Sequence, residues 1–541
     1  MNQKYKYFIF IIILSFVSVQ SHSDYQKLNV LFIVSDDLNC DIGAYGNTQV
    51  ITPNIDKLAQ RGVLFGNAHN QYPLCGPSRV SFMTGLYPDQ TKIKKLRLYL
   101  RQAIPKVTTM GQQFKKENYH SVRVGKIFHY HNPRDIGTAG HDDNYTWDQT
   151  VNPYGRDKIE EYKIKTLKKQ SYGGTLSWLA ADGTDEEQTD GIGASETIKF
   201  LDRFAESGEN FFLAFGLYRP HTPYVAPKKY FDQYEMQEME IPKISDDYLK
   251  TIPLAAAISV SKKKEQRNLE EDLAKTIKEA YYATTSFVDA QVGRVLDKLK
   301  ETGLDKNTIV VFTSDHGYHL GEHGHWQKQT LFDNATRVPL IVAGPGVNKN
   351  QKIMDAPVEL VDIFPTLMDL VGMETPEFVS GKSFYSILKD SNARVRSSAL
   401  TELGVSNGNG LKIQGYSIKT DRYRLTQWKK NGIRFILNSR TNQEMPISIQ
   451  FYNDFIENES KLSIKNALLN YSGKFLACYG SLDQVVPNQY ALDMAKWAAN
   501  SSIFKIRTNH TFGSKHPWTK TNLPDSLKEL SLKTIDFLKS D

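Results

Sequence analysis

The pattern of hydrophobic and polar positions divides most of the chain into short apolar runs and longer amphipathic segments. Continuous apolar runs are typical of strands buried in a parallel sheet, and they occupy residues 28–34, 120–124, 211–217, 308–312 and 338–342. Amphipathic segments, which predict helices, occupy residues 109–118, 195–205, 269–299 and 361–371. Strands and helices that alternate in this way predict an α/β fold, with a mainly parallel sheet covered by helices on both faces.

Three stretches break this pattern. Residues 132–190 and 225–265 are polar, aromatic and irregular, as expected of long insertions that shape a substrate cleft. Residues 416–419 and 422–428 flank Thr420-Asp421, which predicts a hairpin. The hairpin indicates a small antiparallel C-terminal subdomain.

The amino terminus has the features of a targeting signal. Residues 1–23 combine Lys4 and Lys6 with an apolar run at 8–19 and a stretch of small residues. That run is too short to span a bilayer. We therefore expect an exported protein, periplasmic or secreted, with no membrane span after signal removal. Its three cysteines predict few or no disulfides.

The formal net charge of +7 is spread along the 541 residues rather than concentrated in one block. Such a balance is typical of an ordinary soluble surface, or of a protein weakly attracted to polyanions such as a sulfated polysaccharide. The sequence contains no zinc-finger, RNA-recognition or basic-zipper pattern, which disfavours nucleic acid as a partner.

One short segment, Cys75-Gly76-Pro77-Ser78-Arg79, concentrates reactive residue types. We expect Ser78 to cap a following helix, whose first turn favours an anionic ligand. Arg79 adds a planar fork of donors that matches a tetrahedral oxyanion. Composition alone leaves two interpretations of Cys75, a buried structural thiol or a nucleophile.

Polar residues follow several of the predicted strands, and the carboxyl ends of parallel strands form the edge at which α/β sheets bind ligands. Carboxylates at this edge can either bind a cation or cap a helix or turn. Lys126 could equally be a solvated lysine, and His221 a loop histidine without a role. The candidates are Asp36, Asp37, Lys126, His129, His221, Asp315, His316 and Lys328.

With Thr84-Gly85 after it, the Cys-x-Pro-Ser-Arg pattern resembles the signature of type I sulfatases. Residues 28–428 resemble that family throughout, and the iduronate-2-sulfatase group most. The closer match lies in Thr52-Pro53-Asn54-Ile55-Asp56 and in residues 124–129, 220–223, 314–317 and 320–324. The resemblance implies an alkaline-phosphatase-like sulfatase fold over residues 24–430.

The resemblance also implies cofactors and roles. A maturation enzyme would oxidise Cys75 to formylglycine, whose hydrate is the nucleophile. One calcium ion would be held by Asp36, Asp37, Cys75, Asp315 and His316. The remaining catalytic positions would be Arg79, Lys126, His129, His221 and Lys328. Of these, His221 with Lys328 would protonate the leaving oxygen, and His129 would act as the base that releases sulfate.

The implied function is hydrolysis of sulfate esters on a carbohydrate, either a 2-O-sulfated uronate or an algal polysaccharide such as ulvan or carrageenan. Two alternatives remain. One is a phosphodiester or phosphonate hydrolase with the same nucleophile, and the other is a non-catalytic protein that binds sulfated glycans.

Residues 431–541 resemble a different family, the C-terminal portion of an α/β-hydrolase esterase. Predicted strands at 475–479 and 503–507 lead to Asp483 and His510, which would be the acid and the histidine of a catalytic triad. No Gly-x-Ser-x-Gly occurs within residues 431–541. We therefore expect this truncated segment to be catalytically inactive.

Overall fold

The structure is a computed structural model that describes residues 27–406, 412–430, 433–437, 444–446, 463–483, 486–514 and 522–540. The predicted signal segment, residues 1–23, lies outside the described residues. Contacts divide the chain into two compact units, Met1–Gln443 and Glu444–Asp541. No helix of the described residues is long and apolar enough to cross a membrane.

The strands of the first unit are β1 Asn29–Asp36, β2 Gly62–Phe65, β3 Ala68–His69, β4 His120–Gly125, β5 Gln149–Val151, β6 Lys165–Thr166, β7 Ser177–Ala181, β8 Phe211–Pro220, β9 Tyr224–Pro227, β10 Thr308–Ser314, β11 Leu340–Ala343, β12 Gln351–Ile353, β13 Val358–Glu359, β14 Ala399–Ser406, β15 Lys412–Lys419, β16 Arg424–Lys430 and β17 Ile433–Leu437.

Its α-helices are α1 Pro53–Gln60, α2 Cys75–Thr84, α3 Pro88–Thr91, α4 Leu100–Ala103, α5 Met110–Lys116, α6 Arg156–Ile159, α7 Thr189–Ser207, α8 Lys228–Phe231, α9 Tyr248–Thr251, α10 Leu254–Val260, α11 Glu271–Glu301, α12 Asp333–Thr336, α13 Ile363–Val371 and α14 Tyr385–Lys389. Short 3₁₀ turns span Gly43–Tyr45, Glu161–Lys163, Asp185–Glu187, Met236–Glu238, Lys264–Gln266, Leu304–Lys306, Glu322–Gly324 and Leu360–Asp362.

The largest sheet has eight strands in the order β12-β2-β11-β10-β1-β8-β4-β5. Neighbouring strands pair in parallel except at β11, which runs antiparallel to both β10 and β2. The predicted mainly parallel sheet is confirmed. Nothing in the sequence indicates that β11 is reversed, because its apolar run is the same in either direction.

Strand β1 lies in the middle of this sheet. This position explains why its sequence is apolar throughout. Val30 and Phe32 belong to one buried cluster, with side chains from α2, α5 and α13. Leu31 and Ile33 belong to a second cluster, with side chains from α1, α7 and α11. Because successive side chains point to opposite faces, a strand covered by helices on both faces must be apolar at every position.

Most predicted elements are confirmed with shifted ends. Helix α7 begins at Thr189, six residues before the predicted start, and β8 continues to Pro220. Helix α1 begins at Pro53, and the side chain of the preceding residue, Thr52, does not cap it. Asp289 of α11 accepts hydrogen bonds from the backbone N–H of Asn54 and Ile55 instead, so a distant helix stabilises this terminus.

Strands β14, β15, β16 and β17 form an antiparallel sheet in that order. The predicted hairpin is β15–β16, in which Lys419 pairs with Arg424. The small antiparallel subdomain is therefore confirmed.

The second unit contains β18 Glu444–Pro446, β19 Lys474–Gly480 and β20 Asn500–Ile506, with α15 Ile464–Leu469, α16 Gln489–Trp497 and α17 Asp525–Lys539. Strands β19 and β20 pair in parallel, and α16 connects them. Asp483 follows β19 and His510 follows β20, and His510 Nδ1 lies 2.8 Å from Asp483 Oδ2. Of residues 431–462, the structure describes only the backbone of β17 and β18.

Candidate active site

The predicted site residues converge at the carboxyl edge of the large sheet. Asp36 ends β1 and Asp315 follows β10, the strand that pairs with it in parallel. Lys126 follows β4, and His221 follows β8. Because all four strands run in the same direction, residues far apart in sequence meet at one edge.

Three carboxylates form the base of the site, and all of them are fully buried: Asp36, Asp37 and Asp315. Asp37 has a φ of 66°, in the left-handed region that few residues other than glycine adopt. Its backbone N–H donates to Asp315 Oδ1 at 3.2 Å. The left-handed turn and this hydrogen bond hold the ends of β1 and β10 together.

Arg79 is a fully buried cation whose donors all point at the base of the site. Its Nε donates to Asp315 Oδ2 at 2.8 Å and its Nη2 to Asp36 Oδ1 at 3.1 Å. Its Nη1 donates to the carbonyl of Lys126 at 2.7 Å. Burial alone would raise the pKa of Asp36, but Lys126, His221 and Arg79 hold it well below its usual value.

Two lysines complete the charge balance. Lys126 Nζ donates to Asp36 Oδ2, and Lys328 Nζ lies 2.6 Å from both carboxylate oxygens of Asp37. Burial would lower the pKa of Lys328, but the Asp37 carboxylate raises it above its usual value. Lys126 is brought to the edge by Gly125, whose φ of 73° and close approach to Gly216 leave no room for a Cβ.

Cys75 is the first residue of α2 and is almost completely buried. Its Sγ lies 3.3 Å from His316 Nε2 and 4.0 Å from Asp37 Oδ1. Burial, followed by the negative charge of Asp36, raises the pKa of the thiol well above its usual value. The unmodified thiol is therefore protonated and a poor nucleophile.

Ser78 does not cap α2, contrary to the sequence prediction. It lies inside the helix, and its hydroxyl donates to the carbonyl oxygen of Asp315. The position before the helix is Leu74, whose side chain makes no capping hydrogen bond. Ser78 thus ties α2 to the end of β10 and fixes the position of Cys75 over the carboxylates.

A cleft of about 600 Å³ opens over this base. Four predicted residues line it: Cys75, His129, His221 and Lys328. The cleft is therefore faced by the sulfur and by groups that can move protons. Arg79 and Lys126 are not among the described residues that line the cleft. Their cationic groups point at the carboxylates beneath it.

The two cleft histidines differ in their hydrogen bonding. His221 Nδ1 contacts the Thr222 carbonyl at 2.5 Å, so Nδ1 carries a proton, while Nε2 lies 3.9 Å from Asp37 Oδ2. Neither ring nitrogen of His129 has a hydrogen-bond partner among the described residues. Burial, reinforced by Lys328 for His221 and by Lys126 for His129, lowers the pKa of both rings.

The predicted insertions supply the outer wall of the cleft. The cleft is lined by Arg134 and Tyr172 of residues 132–190 and by Lys263 of residues 225–265, together with His131. The prediction that these segments shape the cleft is confirmed. The sequence could not say which side chains would face inward, because neither insertion has a regular period.

Sequence reasoning missed one supporting residue, Tyr281 of α11. It is fully buried, its hydroxyl donates to the backbone carbonyl of Asp37 at 2.8 Å, and it accepts from the Asn39 N–H at 2.9 Å. In the sequence, Tyr281 lies on the apolar side of the amphipathic segment 269–299, so the periodicity indicates only a packing role. Its hydroxyl gave the only sequence signal of a polar role.

The residues at the base are suited to a hard divalent cation. Asp36, Asp37, Cys75 and His316 offer ligand atoms that all lie within 4.8 Å of one another. Asp315 is close to the same group, with its Oδ2 3.6 Å from His316 Nε2, although that oxygen also accepts from Arg79. Several carboxylate oxygens in one buried place favour calcium or magnesium over softer metals.

Two family profiles match this chain. The profile described as Sulfatase matches residues 28–373, and the profile described as N-sulphoglucosamine sulphohydrolase, C-terminal, matches residues 321–470. The second match continues past residue 430, at which the sequence predicts the sulfatase domain to end.

Curated relatives cover most of the chain. A sulfatase of Formosa agariphila is 34% identical over 474 residues, which are 83% of this chain and 88% of the relative. The iduronate 2-sulfatase of Mus musculus is 32% identical over 482 residues, covering 76% of this chain and 86% of the relative. The sequence resemblance to this group is confirmed.

Solved structures share the fold. A 2-O glycosaminoglycan sulfatase aligns with a TM-score of 0.57 and 21% identity, covering 81% of this chain and 91% of its own. A phosphonate monoester hydrolase of Silicibacter pomeroyi aligns with a TM-score of 0.63 and 20% identity, covering 83% and 98%. The predicted fold class is confirmed. At this level of identity the alignments carry no information about substrate.

Proposed function

This chain belongs to the sulfatase family and is a sulfuric ester hydrolase, and we propose that it removes sulfate from a sulfated carbohydrate with an oxidised Cys75 as nucleophile. The observation that carries the proposal is the position of Cys75. Cys75 lines the cleft together with Lys328, and its Sγ lies 4.0 Å from Oδ1 of the buried Asp37 and 3.3 Å from His316 Nε2.

The oxidised form of Cys75 would be formylglycine, made by a separate maturation enzyme. Its hydrate would supply two hydroxyl groups on one carbon, one as the nucleophile toward sulfur and the other as the group whose loss of a proton would let the C–O bond to sulfate break and regenerate the aldehyde. The burial of Cys75 supports this proposal, because a protonated thiol in this place has little reactivity of its own.

A calcium ion would be held by Asp36, Asp37, Asp315, His316 and the modified residue 75. When bound, the ion would supply positive charge to the sulfuryl oxygens. Arg79 holds the carboxylates of Asp36 and Asp315 in place through its own hydrogen bonds. We therefore assign Arg79 a positioning role: it holds the carboxylates of Asp36 and Asp315, which would bind the ion.

Proton transfer is assigned to the residues that face the cleft. The ammonium group of Lys328 lies against Asp37, and His221 Nε2 lies 3.9 Å from Oδ2 of the same carboxylate. Both line the cleft next to Cys75, where the leaving oxygen of a bound ester would lie. We assign protonation of that oxygen to His221 with Lys328, stabilisation of sulfuryl charge to Lys328, and the base that releases sulfate to His129, while Lys126, which donates to Asp36, positions that carboxylate.

The substrate class is inferred from the relatives. Similarity to an iduronate 2-sulfatase supports a 2-O-sulfated uronate, and an algal polysaccharide such as ulvan is the second choice within the class. Residues 1–23 support export to the periplasm or the medium. The alternative reaction, hydrolysis of a phosphonate or phosphate diester, has in its favour only a shared fold.

We assign no acyl-transfer activity to residues 431–541. Asp483 and His510 are in contact, as in the acid–histidine part of a triad. Residues 431–541 contain no Gly-x-Ser-x-Gly sequence to supply the nucleophile, and the one such sequence in the chain, residues 404–408, begins in strand β14 of the first unit.

The nucleophile can be tested by mass spectrometry and kinetics together. Protein co-expressed with a formylglycine-generating enzyme is expected to contain the aldehyde at residue 75 and to release sulfate from 2-O-sulfated uronate oligosaccharides. Cys75→Ala should lower kcat/KM by about 10⁴-fold or more. An unmodified thiol in active protein would contradict the proposal, and preferential turnover of a phosphonate ester would favour the alternative.

Calcium binding can be tested without turnover. Calcium at 100 times its Kd should stabilise the first unit by about 2.7 kcal/mol, seen as a rise in Tm. Asp37→Asn should abolish most of this rise. Asp297→Asn, on the exposed side of α11, is the matched control and should retain it. A Tm that calcium leaves unchanged in the unsubstituted protein would argue against the site.

The role of His221 predicts a dependence on the leaving group. His221→Gln should slow hydrolysis of a sugar sulfate by about 10²- to 10⁴-fold, because the alkoxide needs a proton as it leaves. An aryl sulfate, whose phenolate leaves readily, should be affected much less. Equal losses on both substrates would assign His221 to binding rather than to proton transfer.

The inactivity of the second unit is tested with simple acyl esters such as 4-nitrophenyl acetate. We expect hydrolysis by the full chain to be unaffected by His510→Ala. Esterase activity that disappears with this substitution, while sulfate release persists, would show that the Asp483–His510 pair is catalytic.

A further inference from the structure

A second groove, of about 910 Å³, lies beside the catalytic cleft. Leu74, Leu96 and Gln329 line both spaces, so the groove continues outward from the cleft wall. Its far side is formed by β14, β15 and β16 of the antiparallel subdomain. A chain bound with one unit in the cleft could therefore extend along the groove.

The groove has one sign of charge. Five lysines line it, and no aspartate or glutamate occurs among the described residues around it. Lys94 is neutralised by Asp89 and Glu402. The other four form no ion pair with any residue in the described part of the chain, and Lys262 donates instead to Gln329 Oε1 at 2.8 Å. We call these four residues the lysine groove: Lys95, Lys262, Lys412 and Lys429.

Strand pairing explains why two of these lysines lie together. Lys412 and Gln414 are two positions apart on β15, and Gln414 pairs directly with Lys429 of β16. The three side chains therefore share one face of the sheet. The alternate positions Ile413 and Trp428, on the other face, belong to a buried apolar cluster, and Ile413 also lines the groove beside these lysines. Packing of that face holds the lysines in place.

Lysines elsewhere on the surface are arranged differently. Lys199, Lys228 and Lys298 each pair with a carboxylate three or four positions away on the same helix, the usual solvated pattern. A set of unpaired lysines in one groove leaves repulsion between like charges uncompensated. An anionic ligand would relieve that repulsion.

We infer that the lysine groove binds the anionic sugar next to the one that loses sulfate, so that the preferred substrate is an oligomeric or polymeric sulfated chain rather than a single sugar. This inference rests on the proposed function. The lysines would contact sulfate or carboxylate groups, the amides of Gln329 and Gln414 would reach sugar hydroxyls, and Leu74 and Leu96 would pack against the apolar face of a sugar ring.

Binding to the full chain carrying Cys75→Ala tests the inference, because the ligand then persists. The probes are a sulfated disaccharide and a sulfated hexasaccharide from the same uronate-containing polymer, titrated calorimetrically. The hexasaccharide is expected to bind more tightly than the disaccharide. Its affinity is also expected to rise more steeply as the salt concentration falls. Lys262→Gln, Lys412→Gln and Lys429→Gln together should weaken its binding by about 8-fold, a factor of about two for each exposed charge contact. The disaccharide should change less than twofold.

The matched control removes the same net charge from outer helices, with Lys57→Gln, Lys199→Gln and Lys300→Gln. These changes should leave the preference for the hexasaccharide intact. If both triple variants weaken hexasaccharide binding equally, the effect is a general attraction of polyanions. That result would overturn the inference. An unchanged hexasaccharide affinity in the groove variant would also overturn it.

A hexasaccharide that has been chemically desulfated but keeps its carboxylates separates the two anions. Loss of the length preference assigns the groove to sulfate, and its retention assigns the groove to carboxylate; either result supports an anionic-sugar site. Because these measurements need no turnover, failure of sulfate release with groove-dependent binding would refute the proposed reaction and leave only the anionic-sugar site of the groove supported.

Discussion

Three buried carboxylates at one edge of a parallel sheet are the constraint on which the site depends. Removing charges from water is costly unless each has a partner and a full set of hydrogen bonds. Asp36, Asp37 and Asp315 meet this requirement with Arg79, Lys126 and Lys328, and Arg79 bridges two of the carboxylates directly. Every group that touches the cleft is placed relative to this cluster. In the proposed function the same charges would bind a divalent cation and an anionic ester.

The site has an inner and an outer layer with different origins. The inner layer comes from the ends of β1, β4, β8 and β10, which are held by pairing within one rigid sheet. The outer layer comes from the irregular insertions and from the antiparallel subdomain, which contribute Arg134, Lys263 and the lysine groove. Rigid strands keep the reacting groups in register, whereas loops and a separately packed sheet can vary the sugar that is admitted.

The second unit shows how readily strand ends bring reactive groups together. Strands β19 and β20 run in parallel, and the residues that follow them, Asp483 and His510, are in contact. The sequence had predicted both residues as partners from their order and from the strands before them. Their contact orients the imidazole but supplies no group to attack a substrate, so geometry of this kind is not by itself an activity.

The sequence alone determined the α/β class, the position of most strands and helices, and the polar residues at the strand ends. Apolar periodicity and short motifs are local patterns, and they can be identified without knowledge of the fold. Only the tertiary structure decided what depends on distant contacts. It turned Arg79 toward Asp36 and Asp315, placed Tyr281 under Asp37, and reversed β11. It also joined Lys262 to Lys412 and Lys429 in one groove. The physical reason is that which side chain meets which depends on packing between elements, and no local pattern in the chain records it.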